Sequence, residues 1–393
     1  MLSASSDDPA TRVTSRQRAQ LRIARAIRRL RRKVTVPIRA AAARRPAGDA
    51  LAHRMENVAR RISSAMKRVE HALLSAAAVG AATDVGHAGP VVALHSPLVL
   101  ISQPGRSGGT LLLRLLDGHP QCLVVPHELG SMLPKARLLD RRDPYKTLTP
   151  RVLFRWWEKG VRIGKADLAG SRRRAEPFEL PPALLRSTYE ELVRTTPPHS
   201  DRELLDAYFS AYFNAWQATQ VAADARWIVG FEPGGVANEA RLTRFDENYP
   251  DGRLLSIVRD PWTWFASAQR WSIRFAQLDV ALGYWRDSVE SALAYRTAHP
   301  DRVLLLGFDD LLLRTRETME RVSVFLEIQF DEALLRPTLA GRPSDSNSSF
   351  PGQSTGISDA PVRDRRQVLS AEDDSLIEAI AGETWRRAVD QLD

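Results

Sequence analysis

The chain has 393 residues, which is enough to bury a full hydrophobic core and to form one large domain with an appendage. Its hydrophobic content of 44% and charged content of 26% are ordinary for a globular protein in water. The single cysteine, Cys122, excludes an internal disulfide and a cysteine-rich zinc site, and it favours a reducing compartment.

The positive charge is concentrated at one end of the chain. The formal net charge is +9, but residues 1–90 hold 18 Lys and Arg against 6 Asp and Glu, and residues 91–393 hold 38 against 41. The body is therefore slightly acidic, which argues against a nucleic acid bound around it. We expect no nucleic-acid partner.

The first residues do not have the pattern of a secretory signal, because Met1–Arg12 contains Asp7 and Asp8 and lacks an apolar run. The longest weakly polar stretch, Ala72–Ala82, is about half of the ~20 residues that a membrane span needs. We therefore expect a cytoplasmic protein.

Residues 1–90 form a basic arm, which we expect to be helical and partly disordered. Four apolar residues recur three or four positions apart among many arginines, the pattern of a basic amphipathic helix that ends near Pro37. One hypothesis is that residues 15–34 lie on an anionic membrane surface, at the inner face of the membrane. The alternative is a disordered solubilising tail. The four apolar residues are Ile23, Ile27, Leu30 and Val34.

A second pattern in the arm covers residues 51–73. Its apolar positions alternate in steps of four and three, which is typical of a coiled-coil seam about three heptads long. The chain could self-associate through this seam, or the segment could be a surface helix packed on the body. The positions are Leu51, Met55, Val58, Ile62, Ala65, Val69 and Ala72.

The body, residues 95–393, has the pattern of an α/β fold. Leu98–Ser102 is a continuous apolar run bounded by turn residues, as in a buried parallel strand, and a helix starts at Thr110. Similar runs follow with helical patterns between them, so we predict a parallel sheet covered by helices on both faces. The later runs are Leu123–Val125, Trp227–Phe231, Leu254–Val258 and Val303–Leu306.

Residues 131–222 lack clear strands, and their apolar and aromatic residues recur at helical spacing. These side chains either belong to the core or form an inserted helical cap over a substrate pocket. The clearest of them are Leu204, Leu205, Tyr208, Phe209, Tyr212, Phe213 and Trp216.

The loop between the first strand and the first helix is suited to an anion. Its sequence is Gln103-Pro104-Gly105-Arg106-Ser107-Gly108-Gly109-Thr110. The glycines let backbone N–H groups converge, and the helix N-terminus adds a positive dipole. It is not the phosphate loop of a nucleoside triphosphatase, which ends in Gly-Lys-Ser/Thr, because Arg106 stands early and no lysine precedes Thr110.

A second candidate element is Arg259, at the carboxyl end of a predicted strand, with Ser267 eight residues later in the following helix. An arginine at that edge and a serine on the next helix can converge on one phosphate, which the guanidinium holds by charge-assisted hydrogen bonds. The alternative is that Arg259 caps its own helix and pairs with Asp260.

Together these elements resemble the sulfotransferase family that uses 3′-phosphoadenosine 5′-phosphosulfate (PAPS). Four elements occur in the family's order and cover most of residues 97–330, in a form that looks bacterial and closer to the carbohydrate and tyrosyl-protein branch. They are Gly105-Arg106-Ser107-Gly108-Gly109-Thr110, Leu116-Asp117-Gly118-His119-Pro120, Tyr249-Pro250-Asp251 leading to Arg259 and Ser267, and Phe308-Asp309-Asp310-Leu311.

The resemblance implies a P-loop-like three-layer fold and a role for each motif. The loop would hold the 5′-phosphosulfate, the Arg/Ser pair would hold the 3′-phosphate, and a C-terminal basic loop would close over the nucleotide. No metal is expected, because fixed cations would take the role that magnesium has in kinases. The donor-binding candidates are Gly105, Arg106, Ser107, Gly108, Gly109, Thr110, Arg259, Ser267, Ser348 and Arg366.

The sequence departs from the family's pattern at two places. Gly109 replaces the first threonine of the loop, which removes one possible hydroxyl contact to phosphate. Residues 230–233 read Gly-Phe-Glu-Pro where many relatives have Glu-Lys-Thr-Pro, so a lysine that acts on the sulfate's bridging oxygen is missing. Arg106 would then act there alone.

The resemblance leaves two candidates for the general base. The tyrosyl-protein branch has a glutamate seven residues after its His-Pro, and here that position is His127, followed by Glu128. We favour Glu128, because a carboxylate is the base in that branch, but the pKa of an ordinary histidine also suits a base near neutral pH. The catalytic candidates are therefore Arg106, Glu128 and His127.

The predicted function is transfer of a sulfuryl group from PAPS to a hydroxyl of a carbohydrate, glycolipid or small molecule. Two other functions stay open: a nucleotide-dependent phosphotransferase, and a membrane-associated binding scaffold that acts through the arm. The phosphotransferase would require a lysine in the loop, which this chain lacks.

Overall fold

The computed structural model describes ten stretches of the chain. They are residues 15–43, 50–79, 91–130, 137–149, 180–216, 225–270, 275–339, 341–343, 357 and 369–392.

Five parallel strands form the central sheet of the described body, in the order β2-β3-β1-β4-β5. Each strand coincides with or overlaps an apolar run of the sequence, so the predicted parallel sheet is confirmed. The strands are β1 (Leu98–Ile101), β2 (Cys122–Glu128), β3 (Trp227–Phe231), β4 (Arg253–Val258) and β5 (Val303–Gly307).

Helices connect the strands and cover the sheet. A short antiparallel pair of strands, β6 (Thr338–Leu339) and β7 (Arg342–Pro343), follows the sheet. The helices of the body are α3 (Gly109–Leu116), α4 (Pro144–Leu148), α5 (Pro182–Thr195), α6 (Asp201–Ala215), α7 (Glu239–Asn248), α8 (Pro261–Ala268), α9 (Leu278–Ala298), α10 (Phe308–Leu313), α11 (Thr315–Leu326) and α12 (Ala371–Val389).

The sheet has a buried cluster on each face, because successive side chains of a strand point to opposite sides. Leu98 and Leu100 of β1 pack with residues of α5, α6, α8, α9 and α12. Val99 and Ile101 pack with residues of α3, α10 and α11. The three-layer α/β arrangement expected from the sequence is therefore confirmed.

At the carboxyl end of the central strand β1, the connections from neighbouring strands go to opposite faces of the sheet. Helix α3, which follows β1, covers one face of the sheet, whereas α8, which follows β4, covers the other. The two connections diverge at the carboxyl edge and leave a crevice between them. Ligands of open parallel sheets bind at such a crevice.

The first arm helix, α1 (Ser15–Ala43), is longer than its sequence predicts. It continues through Pro37, so the expectation that it ends there is wrong. An interior proline removes a backbone hydrogen bond and costs about 3 kcal/mol. Helix α1 nevertheless packs along the second arm helix, and the buried Thr35 hydroxyl donates to the Arg31 carbonyl oxygen at 2.8 Å. Such packing stabilises protein helices more than propensity does.

The second arm helix, α2 (Ala50–Val79), packs along α1 and also touches α5. Ala59 is fully buried in this packing, whereas Leu51, Val58 and Val69 of the predicted seam are exposed. Part of the seam region therefore packs within the same chain. Among the described residues, none of the helices is both long and apolar enough to cross a membrane.

The described part of residues 131–222 consists of α4, α5 and α6 and contains no strand, as expected. The apolar and aromatic residues that the sequence indicates on α6 are at most 2% exposed and pack in the same cluster as β1. These side chains belong to the core, which is the first of the two alternatives that the sequence leaves open.

Candidate active site

Residues 103–109, called the anion loop below, turn from β1 into α3. Gly108 has φ +93° and is the N-cap of α3, and a β-carbon there would lie 2.9 Å from the Phe308 ring. The turn therefore requires glycine at this position. The first N–H groups of a helix have no partner within it, so those of Gly109 and Thr110 can bind an anion.

Gly109 is explained by packing against Gln103. A β-carbon at position 109 would lie 1.9 Å from Gln103 Nε2 and 2.5 Å from Phe231 Cε2. The threonine that the family resemblance predicts would not fit there. The Gln103 amide is fully buried, and it lacks a hydrogen-bond partner among the described residues. From the sequence alone, Gln103 is recognisable only as the first residue of the loop.

Arg106 has a left-handed backbone with φ +78°, which is uncommon for a residue with a side chain. Such a conformation costs about 1–3 kcal/mol and persists only when its surroundings impose it. Two neighbours do so: Trp264 Nε1 donates to the Gly105 carbonyl oxygen at 2.8 Å, and Arg259 Nη1 donates to the Arg106 carbonyl oxygen at 3.0 Å. Burial lowers the pKa of the Arg106 guanidinium.

Arg259 follows β4 and is buried, with 2% of its surface exposed. Besides the loop carbonyl, its Nε donates to Thr263 Oγ1 at 3.1 Å, and its guanidinium lies 4.2 Å from the centre of the Phe308 ring, within reach of a cation–π interaction. Asp260 accepts from the Thr263 N–H at 2.9 Å and caps α8. Arg259 therefore contacts both its own helix and the anion loop.

Of the three serines predicted for donor binding, the two that the structure describes, Ser107 and Ser267, are buried. Ser107 is fully buried, and its hydroxyl has no hydrogen-bond partner among the described residues, although buried hydroxyls normally have one. A ligand at the loop would supply that partner. Ser267 lies in the last turn of α8, one turn beyond Thr263, the hydroxyl that Arg259 contacts. Thr263 is not among the residues that the sequence predicts for this site.

His127 and Glu128 end β2, where the ladder is irregular. Pro126 has no N–H to pair, and the register between β2 and β3 shifts between Val124 and Glu128. The His127 ring is buried between two partners: its Nδ1 lies 3.0 Å from the Glu128 carbonyl oxygen, and its Nε2 lies 3.0 Å from the Tyr212 hydroxyl.

Burial makes the two base candidates different. It lowers the pKa of His127 to about 4, so the ring is neutral near pH 7, with both nitrogens engaged. The Glu128 side chain reaches solvent, and the protein around it raises the pKa of the carboxyl by desolvation. An exposed carboxylate with a raised pKa is the better proton acceptor of the two.

Glu232, beside Glu128 at the edge of the sheet, fixes the turn that follows it. Its Oε2 accepts from the Gly130 N–H at 2.6 Å, and its carboxylate pairs with Arg241. The Leu129 N–H also donates to the Phe231 carbonyl oxygen at 2.8 Å. Glu232 belongs to the Gly-Phe-Glu-Pro segment of residues 230–233, in which the sequence predicts only that a lysine is missing.

The charges are ordered along this edge. Glu128 ends β2 and Glu232 follows β3, whereas Arg106 and Arg259 follow β1 and β4. Because β3 lies between β2 and β1, the two ends of the site are about 10 Å apart in the plane of the sheet. This distance would leave room for a transferred group between a base at the end of β2 and an anion bound at the loop after β1.

The C-terminal segment is attached at the end of α3 that lies away from the anion loop. Asp117, at the end of α3, accepts hydrogen bonds from the Thr338 hydroxyl at 2.7 Å and the Gly341 N–H at 2.9 Å. Ser348 and Arg366, which the sequence predicts to contact the nucleotide, lie outside the described residues. Within the described part, no group of three His, Cys, Asp or Glu side chains could hold a metal ion.

A parallel sheet in this strand order, with a glycine-containing loop and a helix N-terminus at its crevice, defines an α/β protein that binds an anionic ligand. The model of the sulfotransferase family matches residues 97–332, more than half of the chain, and the chain belongs to that family. It is a sulfotransferase enzyme, as the sequence resemblance indicates.

Several solved sulfotransferase structures are similar to the chain. The sulfotransferase domain from the curacin biosynthetic pathway is 18% identical, with 73% of this chain and 98% of that chain covered and a TM-score of 0.43. The sulfotransferase domain from the Synechococcus PCC 7002 olefin synthase is 21% identical, with 73% and 95% covered and a TM-score of 0.43. Sulfotransferase STF1 from Mycobacterium tuberculosis H37Rv is 18% identical, with 77% and 84% covered and a TM-score of 0.36. No curated protein matches the chain.

Two substitutions at Arg106 separate its backbone from its side chain. Arg106→Ala and Arg106→Gly both remove the guanidinium, but only glycine adopts φ +78° without strain. We expect the glycine variant to be more stable than the alanine variant by about 1–2 kcal/mol, measured by urea unfolding. Equal stability of the two variants would show that the loop imposes no strain.

Proposed function

We propose that this enzyme transfers the sulfuryl group of PAPS to a hydroxyl of a carbohydrate, glycolipid or small molecule. The observation that carries the proposal is that Arg259, directly after the adjacent strand, reaches the anion loop, where its Nη1 donates to the backbone carbonyl oxygen of Arg106 at 3.0 Å. Two cations at neighbouring strand ends suit a nucleotide that carries an anion at each end.

The residues of the loop fit the phosphosulfate of PAPS. The buried Ser107 hydroxyl lacks a partner among the described residues, and the first N–H groups of α3 have no partner within the helix. Arg259 would hold the 3′-phosphate, together with Ser267 or Thr263 on α8. Ser348 and Arg366 would contact the same nucleotide from the C-terminal segment.

In the proposed reaction, PAPS supplies the sulfuryl group: its bond from sulfur to the 5′-phosphate oxygen breaks as the acceptor oxygen bonds to sulfur. Glu128 takes the proton of the acceptor hydroxyl. Arg106 and the N–H groups of the loop stabilise the negative charge that develops on the departing phosphate oxygen. His127 is neutral and engaged on both sides, so we assign the base role to Glu128.

Ligand-induced thermal stabilisation tests the donor. We expect adenosine 3′,5′-bisphosphate to raise the melting temperature of the protein and ATP with magnesium to leave it unchanged, because the loop lacks the lysine of a triphosphate site. The reverse result would favour the phosphotransferase. Labelled PAPS incubated with fractionated lysate, with products identified by mass, would then identify the acceptor.

The variant Arg259→Ala tests the assigned 3′-phosphate contact. It should bind adenosine 3′,5′-bisphosphate more weakly by about 1.5–3 kcal/mol, the loss of a charged hydrogen bond. Adenosine 5′-phosphosulfate, which lacks the 3′-phosphate, should bind the variant and the wild type about equally. Similar losses for both ligands would mean that Arg259 serves only to hold the loop.

The pH dependence of turnover tests Glu128. Because the base must be ionised and its pKa is raised, the rate should fall with decreasing pH while the pH is still above the ordinary glutamate pKa of 4.5. Glu128→Gln should lower kcat by about 10²–10⁴-fold and remove this acidic limb. Glu383→Gln, on the exposed part of α12, is the matched control and should change neither.

The stability of Glu128→Gln gives an independent reading. A raised folded-state pKa means that the ionised carboxylate destabilises the fold above that pKa, and that this cost disappears below the unfolded-state pKa. The variant should therefore melt at a higher temperature than the wild type at pH 8, and the difference should shrink as the pH falls. A lower melting temperature at pH 8 would contradict the assignment.

For the arm we propose that α1 binds an anionic membrane surface and brings a cytoplasmic enzyme to a lipid-borne acceptor. Residues 15–43 hold ten Arg and Lys and no acidic residue, and Ile23 and Leu30 are exposed. Ile27 and Val34 are partly buried, so the free apolar stripe is narrower than its sequence suggests. Charge then supplies most of the attraction, at about 1 kcal/mol for each basic residue near the surface.

Vesicle co-sedimentation tests the arm. The full chain should pellet with anionic vesicles at low salt and be released as the salt concentration rises. It should stay in the supernatant with neutral vesicles. Replacing the exposed Arg22, Arg29 and Lys33 by glutamate should abolish pelleting without changing activity on a soluble acceptor. A wild-type chain that stays in the supernatant at low salt would refute the proposal. Self-association through residues 51–73 stays a prediction.

A further inference from the structure

Tyr212 and His127 form a connection between the helical segment and the end of β2. Tyr212 lies on α6, 85 residues along the chain from His127, and both side chains are buried. The connection ends on the backbone of Glu128, whose side chain is the proposed base. It does not reach the carboxylate itself, so any effect of Tyr212 on Glu128 is one of position.

The bonding partners fix the protonation of the ring. A carbonyl oxygen only accepts hydrogen bonds, so His127 Nδ1 carries the hydrogen that faces the Glu128 carbonyl. Nε2 is then an acceptor, and the Tyr212 hydroxyl donates to it. In the opposite tautomer, the Nδ1 lone pair would face the carbonyl oxygen at 3.0 Å, which is repulsive.

The end of β2 needs this support because its ladder is interrupted. Pro126 cannot donate, and the register shifts between Val124 and Glu128. The side chain of His127 supplies a hydrogen bond to the strand where regular pairing fails. The Leu129 N–H donates to the Phe231 carbonyl oxygen, so both polar groups of the peptide unit that follows the Glu128 α-carbon are held.

Tyr212 is itself a rigid donor. It is fully buried, and its ring packs at 5.3 Å from Phe213 and 6.2 Å from Trp216, measured between ring centres. Burial raises the pKa of its hydroxyl well above the ordinary value, so the proton stays in place at all working pH values. A donor held by packed aromatic rings has little freedom to move.

We propose that Tyr212 is a positioning residue for sulfuryl transfer, which fixes the backbone of Glu128 through His127. The inference rests on the proposed role of Glu128. It also implies that α6 and the base are coupled, so that a rearrangement of the helical segment that carries α6 displaces Glu128. Misplacing a reacting group by as little as about 1 Å can cost up to about 10²-fold in rate.

The variant Tyr212→Phe removes one oxygen atom, and Tyr208→Phe is its matched control. Tyr208 is on the same helix, one turn away, and is equally buried. We expect Tyr212→Phe to lower kcat by about tenfold or more with the KM for PAPS unchanged, and Tyr208→Phe to leave kcat near the wild-type value. Equal kcat values for the two variants would overturn the proposal.

Substitutions at His127 give a second, independent test. Asparagine places a side-chain N–H near the position of Nδ1, whereas leucine fills the space without a donor. His127→Asn should therefore retain more of the wild-type kcat than His127→Leu, although both lose the bond to Tyr212. If leucine supports turnover as well as asparagine does, the hydrogen bond to the Glu128 carbonyl has no positioning role.

The tautomer can be observed in the wild-type protein. Nitrogen-15 chemical shifts of His127 should show a neutral ring with hydrogen on Nδ1 between pH 5 and 8, since the pKa lies at about 4. Hydrogen on Nε2 would refute the proposed chain of bonds. The variant Glu128→Gln separates the two hypotheses. If Glu128→Gln is fully active, Glu128 is not the base. If Glu128→Gln is inactive and Tyr212→Phe has the wild-type kcat, only the positioning role of Tyr212 is refuted.

Discussion

The geometry of the site depends on two hydrogen bonds that hold the carbonyl groups of the anion loop. Arg259 and Trp264, from β4 and the helix after it, donate to the carbonyl oxygens of Arg106 and Gly105. These bonds keep Arg106 in a left-handed conformation that the residue would not adopt alone. The strain resides in the loop and is balanced by neighbours that the parallel sheet brings alongside. Arg259 therefore braces the loop, in addition to its proposed contact with the 3′-phosphate.

At the other end of the site, near the end of β2, one acidic side chain holds the backbone and another reaches solvent. Glu232 satisfies the turn after β2 and has its own charge neutralised by Arg241, which leaves Glu128 as the carboxylate that reaches solvent there. Burial raises the pKa of the Glu128 carboxyl and lowers the pKa of the Arg106 guanidinium. One strand, β3, separates the proposed proton acceptor at the end of β2 from the proposed anion site after β1.

The sheet was predictable because its strands are continuous apolar runs, and the anion loop because glycine, arginine and a helix start lie next to each other in the sequence. The choice between His127 and Glu128 was not, since it depends on the Tyr212 hydroxyl 85 residues away. Local patterns also failed at Pro37, where packing of α1 along α2 carries the helix past the proline. The spacing of residues in the sequence pointed to Ser267, eight residues after Arg259. The contact that Arg259 makes with Thr263 depends on how α8 begins, which this spacing does not predict.

Asp117 connects the end of α3 to Thr338 and Gly341, across 221 and 224 residues of the chain. During synthesis, therefore, the carboxylate has no partner from that segment until Thr338 and Gly341 of the 393-residue chain have left the ribosome. The central strand β1 likewise waits for β3 and β4, which are made more than a hundred residues later. Chains emerge at about 5–20 residues per second, so the nascent protein exposes an incomplete sheet for many seconds. The active site is consequently a late product of folding, and the period before it forms is when the chain is most open to chaperones and to aggregation.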